Sequence, residues 1–117
     1  MAIYLDNAAT TKIAPEVIEA MLPVLRDGFG NPSSTHSFGR KSKAILETSR
    51  RSIAKHINAN PSEIIFTSGG TEADNIAINS AVSSMGVKRI ITTTLEHHAV
   101  GHTASAAAKQ FGVQVEI

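Results

Sequence analysis

The chain has 117 residues, of which 42% are hydrophobic and only 4% aromatic, with a formal net charge of +1 and no cysteine. Such a composition belongs to a globular chain whose core rests on Ile, Val, Leu and Ala. It excludes disulfides, thiolate metal sites and a cysteine nucleophile within these residues. Lys and Arg are scattered, with adjacent pairs only at Arg40–Lys41, Arg50–Arg51 and Lys88–Arg89, so there is no electrostatic case for nucleic acid.

No window approaches the roughly 18 apolar residues of a membrane-spanning helix. The opening Met1–Asp6 lacks the basic stretch and apolar run of a secretory signal, so a cytoplasmic location is expected.

Ile3 to Leu5 reads as a short extended segment, followed by the small, polar stretch Asp6–Thr11. Pro15 and Glu16 open a helix, in which Ile18, Met21, Leu22 and Leu25 fall at i, i+3, i+4 and i+7 and predict one buried stripe. Gly28 ends it. Residues 28–37 form a loop by composition. A long helix is expected from about Gly39 to Ile57, with Leu46, Ile53 and Ile57 on its buried side. Asn58, Asn60 and Pro61 break that pattern.

The second half alternates. Glu63 to Thr67 predicts a strand, and Thr71 to about Ser84 a helix with Ala73, Ile76 and Ala77 facing inward. Arg89 to Thr94 predicts a second strand and His98 to Gln110 an alanine-rich helix stopped by Gly112. Val113, Val115 and Ile117 alternate as a third strand. This order implies parallel strands with right-handed crossovers. Residues 1–60 read as an N-terminal helical segment and 61–117 as the first part of a larger α/β domain. A sheet of this kind is buried on both faces, so it is expected to continue in another segment of polypeptide.

Two stretches could carry chemistry. In Phe66–Asn75 a strand meets a glycine turn and a helix start. Unpaired N–H groups and the helix dipole make such a turn a phosphate cradle. Gly69 and Gly70 allow close approach, and Thr71 stands at or near the cap, where its hydroxyl serves either the helix end or a phosphate oxygen. The bland alternative is an ordinary glycine turn, with Thr71 and Asp74 as a variant capping box. The pattern lacks the Lys of a P-loop and the G-x-G-x-x-G of a dinucleotide fold.

The second stretch, Glu96–Val100, follows a strand, on the edge where ligands of open α/β sheets collect. An imidazole there could stack on a flat heteroaromatic ring or move a proton; equally, it could cap a helix. His98 and His102 stand four apart, but no third ligand besides Glu96 is well placed, so no metal site is assigned. His36 and His56 read as structural or solvated.

These stretches resemble a family. Tyr4–Thr11 is similar to the opening signature of cysteine desulfurases, pyridoxal-phosphate enzymes of the class V aminotransferase group. Gly30–Ser34 with His36 and Phe38–Gly39 resembles their next motif. Phe66–Asn75 resembles their phosphate turn, and Glu96–Val100 the segment whose histidine stacks on the cofactor ring.

The resemblance implies the N-terminal portion of a fold-type I pyridoxal-phosphate transferase, α/β and incomplete alone. Gly70 and Thr71 would hold the phosphate of pyridoxal 5'-phosphate. His97 would stack on its ring and assist proton transfer. The substrate would be L-cysteine, converted to L-alanine with sulfur passed to an enzyme cysteine for iron–sulfur clusters or thio-cofactors. The family's Schiff-base lysine, its carboxylate for the pyridinium nitrogen and its persulfide cysteine come later in the chain, and none has a counterpart here. The remaining C-terminal polypeptide, a homodimer and a sulfur acceptor or scaffold protein are therefore the implied partners. A related class V enzyme acting on selenocysteine or cysteine sulfinate, and a non-catalytic binding or dimerisation module, are the competing expectations.

Overall fold

A computed structural model describes residues 3–117. The fold is α/β, four helices with one short parallel sheet. Met1 and Ala2, part of the segment considered above for a secretory signal, lie outside the described residues. The chain divides into two compact units, one ending at Ile64 and the other starting at Ile65.

The first unit holds helices α1 (Pro15–Asp27) and α2 (Ser37–His56) and a short 3-10 turn, Pro61–Glu63. Pro15 stands at the start of α1, where its missing N–H costs nothing. The predicted stripe on α1 is not buried. Ile18, Met21 and Leu22 are exposed, and Leu25 is 73% exposed. The periodicity is real, but burial needs a covering surface, and the described residues of this unit supply none.

Helix α2 starts two residues before the expected Gly39, because His36 caps it: its Nδ1 accepts from the Gly39 N–H at 3.3 Å. Leu46, Ile53 and Ile57, expected on the buried side, are also exposed. The buried positions are Gly39, Ser42 and Ala54. At the far end, Glu63 accepts from the Asn60 N–H at 2.6 Å, and Arg50 donates to the Ile64 carbonyl while pairing with Glu47 at 3.2 Å. These bonds tie the 3-10 turn to α2.

The loop before α2 packs tightly on the helix. A Cβ at Gly39 would stand 2.6 Å from the Asn31 carbonyl oxygen and 2.8 Å from the Ser34 Cβ. Phe29 and Phe38 close the same region, their ring centroids 5.1 Å apart.

The second unit holds α3 (Gly70–Ser83), β1 (Arg89–Ile91), α4 (His98–Phe111) and β2 (Gln114–Glu116). The strands pair in parallel with Ile90 opposite Val115, and α4 makes the crossover. The expected strand over Glu63–Thr67 does not form. Glu63 belongs to the 3-10 turn and Ile64 is merely extended, since a strand needs a hydrogen-bonded neighbour and no described segment pairs there. β1 ends at Ile91 rather than Thr94, and the Thr92 N–H makes the last bond to its neighbour, donating to the Glu116 carbonyl at 2.9 Å.

Val82, Ala107 and Val113 form the core, with Ile78, Ile90 and Ala108 packed against it. The inward residues of α3 are thus Ile78 and Val82, not Ala73, Ile76 and Ala77, which face outward. Gly112 ends α4 at φ 66°, a left-handed conformation that suits glycine.

Among the described residues no helix is long and apolar enough to cross a membrane. The close approach at Gly39 predicts that Gly39→Ala lowers stability by about 1–3 kcal/mol, as overpacking does. Denaturant unfolding of the protein carrying this segment measures it. A midpoint equal to wild type would contradict the tight packing of residues 31–34 on α2.

Candidate functional site

The site is built at the starts of α3 and α4. Gly69 is the N-cap of α3, with extended backbone, and Gly70 is its first residue. Thr71 is therefore inside the first turn, not at the cap. The expected Thr71–Asp74 capping box is replaced by Ser68 and Glu72. The Glu72 carboxylate accepts from the Ser68 N–H at 2.6 Å and from the Ser68 hydroxyl at 2.8 Å. The N–H bond first, and the hydroxyl second, hold the Glu72 carboxyl below its ordinary range.

With Ser68 engaged, the N–H groups of Gly70, Thr71 and Glu72 remain as the donors of the first turn, because a helix start has no preceding carbonyls to satisfy them. A Cβ at Gly69 or at Gly70 would meet nothing within 4 Å, so the backbone is open to a close-lying group. The Thr71 hydroxyl has no hydrogen-bond partner among the described residues. Asn75, one turn on, donates its side-chain N–H to the Thr71 carbonyl at 2.8 Å.

His97 is the N-cap of α4, and its Nδ1 accepts from the Ala99 N–H at 3.2 Å. Both readings of this residue therefore bear on one side chain. The ring caps the helix through Nδ1, which puts the proton of the neutral imidazole on Nε2 and leaves the ring face and Nε2 for a ligand. His98 and His102 stack on the next turn with centroids 5.6 Å apart. Among the described residues no group of three or more His, Cys, Asp or Glu is arranged to hold a metal.

The packing of α3 against α4 brings these parts to one concavity of about 440 Å³, lined in part by Thr71, Asn75, His97, His98, His102 and Thr103. Thr71 and His97, far apart in sequence, thus share one hollow, and Gly70 adjoins it through Thr71. Sequence reasoning missed the Ser68–Glu72 lock, Asn75 and Thr103. A serine four residues before a glutamate at a helix start was the available signal for the first. In the other unit, the Asp6 carbonyl accepts from the Ala9 and Thr10 N–H groups, folding the Asp6–Thr10 segment into a turn.

The family described as aminotransferase class-V matches residues 3–117. The chain is 55% identical over 101 residues to the cysteine desulfurase IscS of Dictyoglomus turgidum, covering 84% of this chain and 25% of that protein. A solved NifS-like protein superposes with a TM-score of 0.87 at 36% identity, covering 99% of this chain and 32% of its own. A structure of SspA in complex with cysteine gives a TM-score of 0.78 at 34% identity, covering 92% and 31%. The chain thus spans about a quarter to a third of the length of these relatives.

The Ser68–Glu72 lock makes a pH prediction. A depressed carboxyl stabilises the folded turn at pH above the ordinary glutamate value, and that contribution is lost as pH falls through the lowered value. Amide shifts of Ser68 and Gly70 followed through an acid titration are expected to move in that window and to stay flat in Glu72→Gln. Identical titrations of the two proteins would contradict the lock.

Proposed function

The chain belongs to the aminotransferase class-V family, and on that premise we propose that it forms part of a pyridoxal-phosphate-dependent cysteine desulfurase. In this reading the enzyme converts L-cysteine to L-alanine and passes the sulfur to an enzyme cysteine, for iron–sulfur clusters or thio-cofactors. Residues 61–117 contribute the first part of the cofactor-binding domain and residues 1–60 an N-terminal segment. The enzyme works in the cytoplasm as a homodimer, with a sulfur acceptor or scaffold as partner. SspA, a structural relative, is known in complex with cysteine, which favours that substrate.

The observation that carries the reading is the meeting of Thr71 and His97 in one concavity beside an uncovered helix start. The residues fit the cofactor. A phosphate needs donors and room, and the first turn offers the N–H groups of Gly70, Thr71 and Glu72, the free Thr71 hydroxyl, and open space over Gly69 and Gly70. A flat pyridine ring needs a face to lie against, and the His97 imidazole offers one. When bound, the cofactor supplies an electron sink for bond changes at the substrate α-carbon.

The chain's own residues then have distinct tasks. The α3 turn anchors the dianionic end through fixed donors that need no reorganisation. Glu72 keeps the turn in shape through Ser68, so its negative charge is directed to the protein rather than towards the ligand. His97 is held in orientation by its cap bond to Ala99, so the ring is positioned before any ligand arrives. With Nδ1 accepting, Nε2 is the atom at which a proton is held or given. The sulfur-accepting cysteine comes from outside these residues, which contain none.

Two substitutions test the parts separately. Asparagine caps helices well, so His97→Asn is expected to leave thermal stability within about 0.5 kcal/mol of wild type. The same change lowers desulfurase turnover roughly 100-fold and shifts the cofactor's visible absorbance. Wild-type turnover and spectrum in His97→Asn would show the residue to be a cap alone. Gly70→Val places a side chain where the phosphate would lie, and cofactor content after dialysis should fall. Full retention would remove the phosphate from this turn.

A further inference from the structure

Charge, scattered when read along the sequence, is unevenly divided among the elements. Helix α2 holds six of the eleven basic residues, Arg40, Lys41, Lys43, Arg50, Arg51 and Lys55, and one of the ten acidic ones, Glu47. The helix therefore carries a formal +5 and the rest of the chain −4, which together give the net +1.

The stability of the helix itself does not account for this pattern. No acid stands in its first turn, and Arg40 and Lys41 lie towards that end, where the helix dipole disfavours cations. Arg40 and Lys43, three apart, and Arg51 and Lys55, four apart, are like-charged neighbours that repel each other. Glu47 is engaged with Arg50 at 3.2 Å. Among the described residues no carboxylate pairs with Arg40, Lys41, Lys43, Arg51 or Lys55, and all five are exposed. Arg40 donates to the Thr35 carbonyl, and Arg51 to the Thr48 hydroxyl at 3.3 Å. Both acceptors are neutral and leave the charges uncompensated.

On a helix, residues 40, 44, 48, 51 and 55 fall on one stripe, with Lys41 at its border. The stripe is about 22 Å long. It has cations at both ends and the small, exposed Ala44 and Thr48 between them. Small side chains at that point let a second helix axis come within about 8–10 Å. We propose that this face of α2 docks an acidic helical segment of another protein, with carboxylates at the two basic ends and small residues over Ala44 and Thr48.

Charge and shape favour this partner over other anions. Duplex nucleic acid or an anionic bilayer meets a wide surface, and the rest of this chain, at −4, does not attract one. The stripe carries no aromatic ring to stack on a base and no large apolar side chain to enter a bilayer. The docking face does not rest on the cofactor reading, because Gly70, Thr71 and His97 all lie outside α2.

The test is fluorescence anisotropy of a labelled Ala/Glu helical peptide of the length of α2, titrated with the protein carrying this segment. Saturable binding is expected, weakening about 10-fold as ionic strength rises from about 0.01 to 0.15 M and the Debye length contracts. Glutamine removes charge and keeps a good helix former in place. Arg51→Gln with Lys55→Gln is expected to weaken binding about 10-fold at fixed salt. Lys12→Gln with Lys109→Gln, which removes two exposed cations from elsewhere, should leave affinity within about twofold. Circular dichroism of both variants is expected to match wild type, so a loss of binding reports charge and not unfolding. Absence of peptide binding, or equal weakening in the two variants, would overturn the proposal. Tighter binding of duplex DNA or of phosphatidylserine vesicles than of the peptide would also overturn it, and would give the face to nucleic acid or to a membrane.

Discussion

The close packing of α3 on α4 is the constraint on which the site depends. Ala104 and Ala107 are fully buried, and Ala99 nearly so, so α4 presents small side chains where it meets its neighbours. Larger residues there would separate the helices. Thr71 belongs to one helix and His97 caps the other, so the distance between them is set by this interface and not by any direct bond. The hydrophobic part of the unit, around Val82, Ala107 and Val113, then fixes both helices on the two-stranded sheet. The proposed chemistry sits at helix starts, where backbone donors are left over, and the packing brings two such starts together.

Each start is held by a side chain that has been turned to the backbone. At α3 it is Glu72 on Ser68; at α4 it is His97 on Ala99. The two bonds do opposite things for the ligand. Glu72 withdraws an acid that would otherwise repel an anion from the first turn. His97 commits one nitrogen to the helix and presents what remains of the ring. The cap observed at His97 is compatible with the proposed binding role, because it orients the ring.

Much of this was legible in the sequence, and the misses have a common cause. The helices, the Gly112 stop and the parallel arrangement all follow from local signals, namely propensity, periodicity and left-handed glycine. The burial of α1 and α2 and the strand over Glu63–Thr67 did not come out as read, because each needs a surface or a ladder partner that the described residues do not provide. Ile18 and Leu25 carry a correct helical period on a face that no described residue covers. At the candidate site, Gly70 and His97 stand at the helix starts that the sequence led one to expect. The Ser68–Glu72 lock was not expected, since Thr71 was the stronger capping residue by type, whereas the folded chain puts Gly69 in that position.

The central claim is that the first turn of α3 receives the phosphate of the cofactor while His97 takes its ring. The most direct measurement is an amide chemical-shift titration of the cofactor-stripped protein with pyridoxal phosphate and, in parallel, with pyridoxal. The account predicts that the Gly70, Thr71 and Glu72 amides shift with the phosphorylated ligand alone, while the His97 ring signals respond to both. Equal shifts of those three amides with either ligand, or none with pyridoxal phosphate, would contradict it.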